Sequence, residues 1–239
     1  MGNKGHDTRM KRSKAPAFWK VPRKQNKFII STSPGPHPIW RSYPLGVLLR
    51  DILKVTYTQR ETRTALLEGK VPIDGVVRKS TSFPVGLMDV IEIPSSDKVY
   101  RMVPKDGNPL EPIEIPKKEK DKKLCKVVSK HTIKGGKVQY GFHDSNSVIG
   151  DGSEKIKPGD TCVFSLSSHK ILKTFGFDKG ALALITKGVR AGLTGKIEEI
   201  IPGNVTNKSY ASINLEEGTV KLPTDLLFIV GTDSPTLVI

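Results

Sequence analysis

The residues best placed to do chemistry in this 239-residue chain are lysines and arginines interleaved with aromatic side chains. Their chemistry is charge neutralisation rather than bond making. Residues 1–42 hold Lys4, Arg9, Lys11, Arg12, Lys14, Lys20, Arg23, Lys24, Lys27 and Arg41, with Phe18, Trp19, Phe28 and Trp40 among them. Basic groups neutralise phosphates, and aromatic rings stack on bases or anchor a segment. The pattern predicts a basic arm over residues 1–42 that orders on RNA, with Trp19 among its contacts. A solvated tail is poor in Trp and Phe. Ser33-Pro34-Gly35-Pro36-His37-Pro38 predicts a rigid connector, because proline fixes φ and restrains the residue before it.

Other chemistries find little support. His6, His37, His131, His143 and His169 are scattered without metal-ligand spacing. His143-Asp144 are sequence neighbours, expected as a surface or turn pair. Gly135-Gly136-Lys137 has neither the upstream glycine nor the following Ser/Thr of a phosphate-binding loop, so it predicts a hairpin turn. Two cysteines, Cys125 and Cys162, are too few for a disulfide framework or a four-cysteine zinc site. No catalytic residue, metal or cofactor is expected.

The balance of charge agrees. Lys plus Arg total 39 and Asp plus Glu 24, a net charge of +15. Residues 1–50 carry eleven basic residues and one acid, Asp7, whereas residues 51–100 balance at seven each. No apolar stretch is long enough to span a bilayer as a helix, and the N-terminus has no apolar secretory core. The expectation is a cytosolic, reduced protein with an acidic partner. Nucleic acid ranks ahead of anionic lipid because no amphipathic membrane helix is evident.

Several elements must position these charges. Leu45, Leu48, Leu49, Ile52 and Leu53 recur on one helical face. A second helix is predicted from a Thr58-x-x-Glu61 capping box to Gly69, and it carries Arg60 and Arg63. Lys70, Arg78 and Lys79 flank two short runs around an Asp74-Gly75 turn, and Val90–Ile93 reads as a strand. Residues 96–123 form a charged, proline-rich crossing, in which the run from Lys117 to Lys123 is expected to be a solvated loop. Short strands follow, set off by Gly, Asp, Asn and Ser turns at the spacing of a small barrel. Last come Ala181–Thr186 and a glycine-bearing loop, with charge from Lys187, Arg190 and Lys196.

Residues 43–95 resemble the αL RNA-binding domain through Arg60, Arg63, Leu66, Gly69, Val71, Ile73, Asp74-Gly75 and Gly86-x-x-Asp89-x-Ile91. The resemblance implies that Arg60, Arg63, Lys70, Arg78 and Lys79 face phosphate. Residues 181–197 resemble the KOW motif, with Gly192 as its characteristic glycine. Further matches run in order through the chain: Lys11-Arg12 to Trp19, Ser33 to His37, Tyr43 to Leu53, Phe83 to Ile91, Lys123 to Val127, His143-Asp144, Gly159-Asp160-Thr161 and Leu227 to Gly231. Together they are similar to the archaeal and eukaryotic small-subunit ribosomal proteins of the S-four-e type.

That resemblance implies a β-rich α+β fold. It would comprise a basic extended arm (1–42), an αL domain (43–95), a central small β domain (96–175) and an SH3-like β-barrel carrying the KOW motif (176–239). It implies a non-enzymatic, cytoplasmic constituent of the small subunit. The partners would be small-subunit rRNA and neighbouring ribosomal proteins, with no membrane and no independent homo-oligomer. Two other readings are an RNA-binding transcription or translation factor with a KOW domain, and an RNA-modifying enzyme with an αL domain. The enzyme would need a large α/β catalytic domain, and residues after Ile93 read as small β units instead. Two departures stand out. Lys187 precedes a single Gly188 where paired glycines are usual. Leu215-Glu216-Glu217-Gly218 is acidic, so residues 201–239 are expected to be mainly structural.

Overall fold

The computed structural model describes residues 10–150, 156–204, 207–216 and 218–239, so Lys4 and Arg9 lie outside the described residues. The arm is not extended. Strands β1 (Met10–Lys11) and β2 (Phe28–Ile29) pair antiparallel, and 3-10 turns at Arg12–Lys14 and Ala17–Trp19 lie between them. Ala15, Trp19, Val21 and Ile29 join the same core as Tyr43, Leu45 and Leu66. Trp19 is 0% exposed; its indole Nε1 donates to the Ser42 carbonyl at 2.9 Å and its ring stacks on Tyr43. Burial of this large ring holds the arm to the body.

β3 (Ser42–Pro44) leads into α1, which spans Leu45–Val47 and continues as a π-helical turn over Leu48–Ile52. Leu45, Leu48 and Leu49 are buried, while Ile52 and Leu53 are half-buried where the wider turn shifts the helical face. In α2 (Gln59–Leu67) both halves of the capping box form. The Glu61 amide donates to Thr58 Oγ1 at 3.2 Å, and the Thr58 amide donates to Glu61 Oε2 at 3.4 Å. Gly69, at φ 78°, follows the helix. β4 (Pro72–Ile73) and β5 (Val76–Val77) close a hairpin through Asp74 and Gly75, both at positive φ.

β6 (Pro84–Gly86) pairs with β3, and β7 (Val90–Ile93) pairs with β4. β8 (Lys98–Lys105) and β9 (Asn108–Glu114) then extend this sheet to the order β5-β4-β7-β8-β9. It therefore runs through the boundary expected at residue 95, and much of the expected crossing is strand. Arg101 of β8 is fully buried, and its guanidinium donates to Glu119 Oε2 at 2.9 Å and the Val238 carbonyl at 2.8 Å.

The second sheet contains β10 (Lys122–Thr132), β11 (Val138–Phe142), β12 (Ser147–Gly150), β13 (Thr161–Ser165) and β14 (Lys170–Phe175), in the order β12-β11-β10-β13-β14. Gly135 and Gly136, both at positive φ, lie between β10 and β11, where the hairpin turn was predicted. Cys125 and Cys162 are register partners across β10 and β13 and are buried thiols not joined in a disulfide. The third sheet contains β15 (Leu182–Ile185), β16 (Thr194–Ile201), β17 (Tyr210–Leu215), β18 (Gly218–Pro223) and β19 (Leu227–Gly231), in the order β18-β17-β16-β15-β19. The protein is thus β-rich with few helices. Among the described residues no helix is long and apolar enough to cross a membrane.

Candidate nucleic-acid interface

The folded arm re-sorts its candidate contacts. Lys11, Lys14, Lys20, Arg23, Lys24 and Lys27 are exposed on its turns and hairpin. Lys20 is paired with Glu111 at 2.5 Å, and Arg23 donates to the carbonyls of Ser13 and Ala15. Trp19, expected among the contacts, is enclosed by Tyr43 and Phe18 and cannot stack on a base. Arg12 is also buried rather than a solvated charge. Two aromatics of the arm are exposed, Phe28 (44%) beside Lys27 and Trp40 (60%) beside Arg41. That Trp-Arg pair was visible in the sequence, but exposure is what separates Trp40 from Trp19.

On the first sheet and α2, Arg60, Arg63, Lys70 and Lys79 are exposed. Arg60 and Lys70 line one groove with Glu61 and Glu68, and Lys70 pairs with Glu68 at 2.5 Å. Arg78 is half-buried, with its guanidinium 4.6 Å from the centre of the Phe83 ring. Tyr57, just before α2, is highly exposed and was not among the expected contacts.

Residues distant in sequence meet around Arg41. It lines a cleft of about 520 Å³ with Lys126, His143, Phe177, Thr224 and Asp225. It also lines a small one with Leu87, Leu110, Thr186 and Lys187. Burial and the neighbouring Arg41 charge both hold the Lys187 ammonium below the ordinary lysine range. Lys126, a residue not singled out from the sequence, is held down by burial and Arg41 against the pull of Asp225. Its Nζ donates to the Leu227 carbonyl at 2.8 Å. The β15–β16 loop leaves Arg190 exposed and Val189 95% exposed. The loop is fixed by docking: the Gly107 amide donates to the Ala191 carbonyl at 3.0 Å. Gly192 has φ 96°, and a Cβ there would stand 2.7 Å from Lys105 Cα. Lys196 lies on β16 instead, paired with Asp233 at 2.7 Å.

Behind these surfaces is a buried ion cluster. Lys123, expected in a solvated run, is 0% exposed. Its Nζ lies 2.7 Å from Asp74, 2.7 Å from Asp89 and 2.9 Å from Asp144. Asp89 also accepts from the Gly86 amide at 2.8 Å and from His37 Nε2 at 3.1 Å. A Cβ on Gly86 would sit within the His37 ring, at 2.3 Å from Cγ, which explains the glycine three residues before the aspartate. Asp74 accepts from the Val90 amide at 2.8 Å. The cluster thereby ties the arm connector, the first sheet and β10 together.

Electrostatics within the cluster follow from burial and charge. Burial opposes ionisation of Asp144, but Lys123 overrides it and holds the carboxyl at about 2. Asp89 is held lower still: burial opposes this, and His37 and Lys123 outweigh it. Burial raises Asp74 to about 6, with the Asp89 charge adding to it against Lys123. Removing Lys123 would leave carboxylates buried without a counter-charge, the costly way to break such a cluster.

His143-Asp144 sit in the turn after β11, but Asp144 is buried rather than on the surface. Cys125, His143 and Asp144 offer ligand atoms within 4.8 Å of one another. His143 Nδ1 accepts from the Lys126 amide at 3.2 Å, and Nε2 faces the Leu87 carbonyl at 3.2 Å. Both ring nitrogens are engaged, and Lys123 holds Asp144, so the trio is a hydrogen-bonded core cluster.

Comparison with known proteins agrees with this architecture. Residues 96–171 match the family model described as ribosomal family S4e, and residues 4–39 match the RS4NT (NUC023) domain. The small ribosomal subunit protein eS4 of Pyrobaculum islandicum is 37% identical over 231 residues, covering 95% of this chain and 97% of that protein. The protein of the same name from Methanothermobacter thermautotrophicus is 38% identical over 232 residues, covering 95% and 94%. The crystal structure of the 30S ribosomal protein S4e from Thermoplasma acidophilum matches with a TM-score of 0.68 at 32% identity, covering 81% of this chain and 96% of that one. Identity of this extent along nearly the full length of these relatives places the chain: it belongs to the ribosomal protein family S4e.

Proposed function

We propose that this protein is a structural constituent of the cytoplasmic small ribosomal subunit, where it binds and stabilises small-subunit rRNA during assembly and translation. As a member of a family of ribosomal structural proteins it is not an enzyme. The observation that carries the RNA contact is a set of exposed cations without ion-pair partners among the described residues: Lys24, Lys27, Arg41, Arg60, Arg63 and Arg190. They come from the arm, α2 and the β15–β16 loop. A surface of this kind gains affinity by releasing counterions from phosphates.

The finer assignments rest on local geometry. Residues 43–95 serve as an αL-type RNA-binding unit: the capped α2 carries exposed Arg60 and Arg63, and the Asp74-Gly75 hairpin follows it in the chain. Residues 176–239 serve as a KOW-bearing barrel, supported by the positive φ and close packing of Gly192 in a basic loop. Neighbouring ribosomal proteins complete the contacts, and the chain forms no independent homo-oligomer.

Arg60→Ala combined with Arg63→Ala tests the reading. Both side chains are exposed. The expected result is weaker binding to small-subunit rRNA and poorer retention on small subunits through a high-salt wash, with the thermal midpoint nearly unchanged. Unchanged RNA affinity would show that Arg60 and Arg63 do not contact RNA, and a large loss of stability would show that these arginines are structural.

A further inference from the structure

Arg12 is a buried cation that no carboxylate of the described residues neutralises. It is 4% exposed, and it forms no ion pair among the described residues. Its Nε is enclosed without an acceptor. With its amide turned to present the oxygen, Asn26 accepts from Arg12 Nη1 at 3.3 Å. The other fully buried cations are treated differently: Arg101 has Glu119, and Lys123 has three aspartates. A guanidinium sheltered from water without a counter-ion is unfavourable, because its lost hydration is not replaced.

Arg12 lines a cleft of about 690 Å³ between the arm hairpin, the end of α1, the start of α2 and residues 81–82. Lys27, Arg50, Gln59, Thr81 and Ser82 share its wall, and among the described residues no aspartate or glutamate lines it. Arg50 is held by both oxygens of Asp51, at 3.1 and 2.7 Å, so it adds donors but little net charge. Two uncompensated cations, Arg12 and Lys27, therefore face a polar cleft.

We infer that this cleft seats a backbone phosphate of the bound nucleic acid, with the Arg12 guanidinium as its sheltered counter-charge. The inference rests on the RNA-binding reading above and adds a defined contact to it. A guanidinium edge takes two phosphate oxygens side by side, whereas Lys27 supplies a point charge. A phosphate here gives Arg12 the counter-ion that no carboxylate of the described chain provides.

The test uses the full chain, wild type and Arg12→Gln, with purified small-subunit rRNA titrated at several salt concentrations. The variant should show a salt slope shallower by roughly 0.7–0.9, the size of one phosphate contact. Inorganic phosphate at constant ionic strength should raise the thermal midpoint of the wild type more than that of the variant. An unchanged RNA slope overturns the inference, and so does equal stabilisation of both proteins by phosphate. Phosphate stabilisation of the wild type alone, with no change in RNA slope, also overturns it by assigning the cleft to free phosphate. Should Arg12→Gln fail to fold, Lys27→Gln at an exposed position carries the test, with the same shallower slope expected and an unchanged slope decisive against it. A wild type with no salt-dependent RNA affinity would instead refute the RNA-binding reading itself.

Discussion

His143 shows how a single side chain reports on the core that supports the interface. Its ring nitrogens are engaged by the Lys126 amide and the Leu87 carbonyl, and its edge packs on Phe228. Burial lowers its pKa from the ordinary 6.5 to about 4, with Lys123 and His37 adding to the effect against Asp144. Between these values the unfolded chain binds a proton that the folded chain refuses. Stability from this group is therefore complete above pH 6.5 and is lost as pH falls towards 4, by about 3 kcal/mol. Asp74, raised to about 6, works in the opposite direction: its contribution is full below its ordinary 3.8 and is lost as pH rises through 6. The comparison of wild type with His143→Gln isolates the histidine. Urea unfolding at pH 7 and pH 4.5 should show a larger loss on acidification in the wild type, and equal losses would refute the assignment. Asp74 and Asp89 were legible as motif residues, but their partner was not. Lys123 stands in a charged run, and sequence alone does not distinguish a buried ammonium from a solvated one.

At the scale of elements, legibility followed the range of the interaction that defines each one. The α2 capping box and the Asp74-Gly75 hairpin are set by residues three or fewer apart, and both were read correctly. The β8–β9 hairpin was not, because its prolines suggested a loop. Pro109 and Pro112 are tolerated because β9 is an edge strand, and Pro104 falls at a register shift between Val103 and Lys105. The tip of that hairpin meets the β15–β16 loop, and Gly192 is where they touch. Gly188 and Gly192 both have φ near 95°, but nothing lies within 4 Å of a Cβ at Gly188. Gly188→Ala should cost ~1–2 kcal/mol from backbone strain alone. Gly192→Ala should cost at least ~1 kcal/mol more, because the Lys105 backbone must also move. Thermal unfolding of the two variants measures the difference. Equal costs would mean that the loop does not rest on the hairpin as described.

For the whole molecule, the location of the arm changes how RNA binding has to be understood. A charge-rich terminus with several aromatics was compatible with a segment that orders only on RNA, since composition is the same whether the aromatics face bases or a core. The structure puts residues 10–42 on the body through Trp19, Tyr43 and the His37–Asp89 contact. The cations between residues 10 and 42 are then carried on a folded backbone before RNA arrives, and binding through them is spared the ordering cost of a disordered segment. The chain has two tryptophans, one enclosed and one exposed, so the state of the arm can be read directly. In Trp40→Phe, which removes only the exposed indole, Trp19 is the sole tryptophan and can be excited selectively at the red edge of the absorption. Its fluorescence in RNA-free protein should be blue-shifted and poorly quenched by acrylamide. Adding small-subunit rRNA should change neither property much, because the ring is already enclosed. A red-shifted, readily quenched emission that becomes protected only with RNA would mean the reverse: an arm free in solution, with Trp19 buried by assembly rather than by folding.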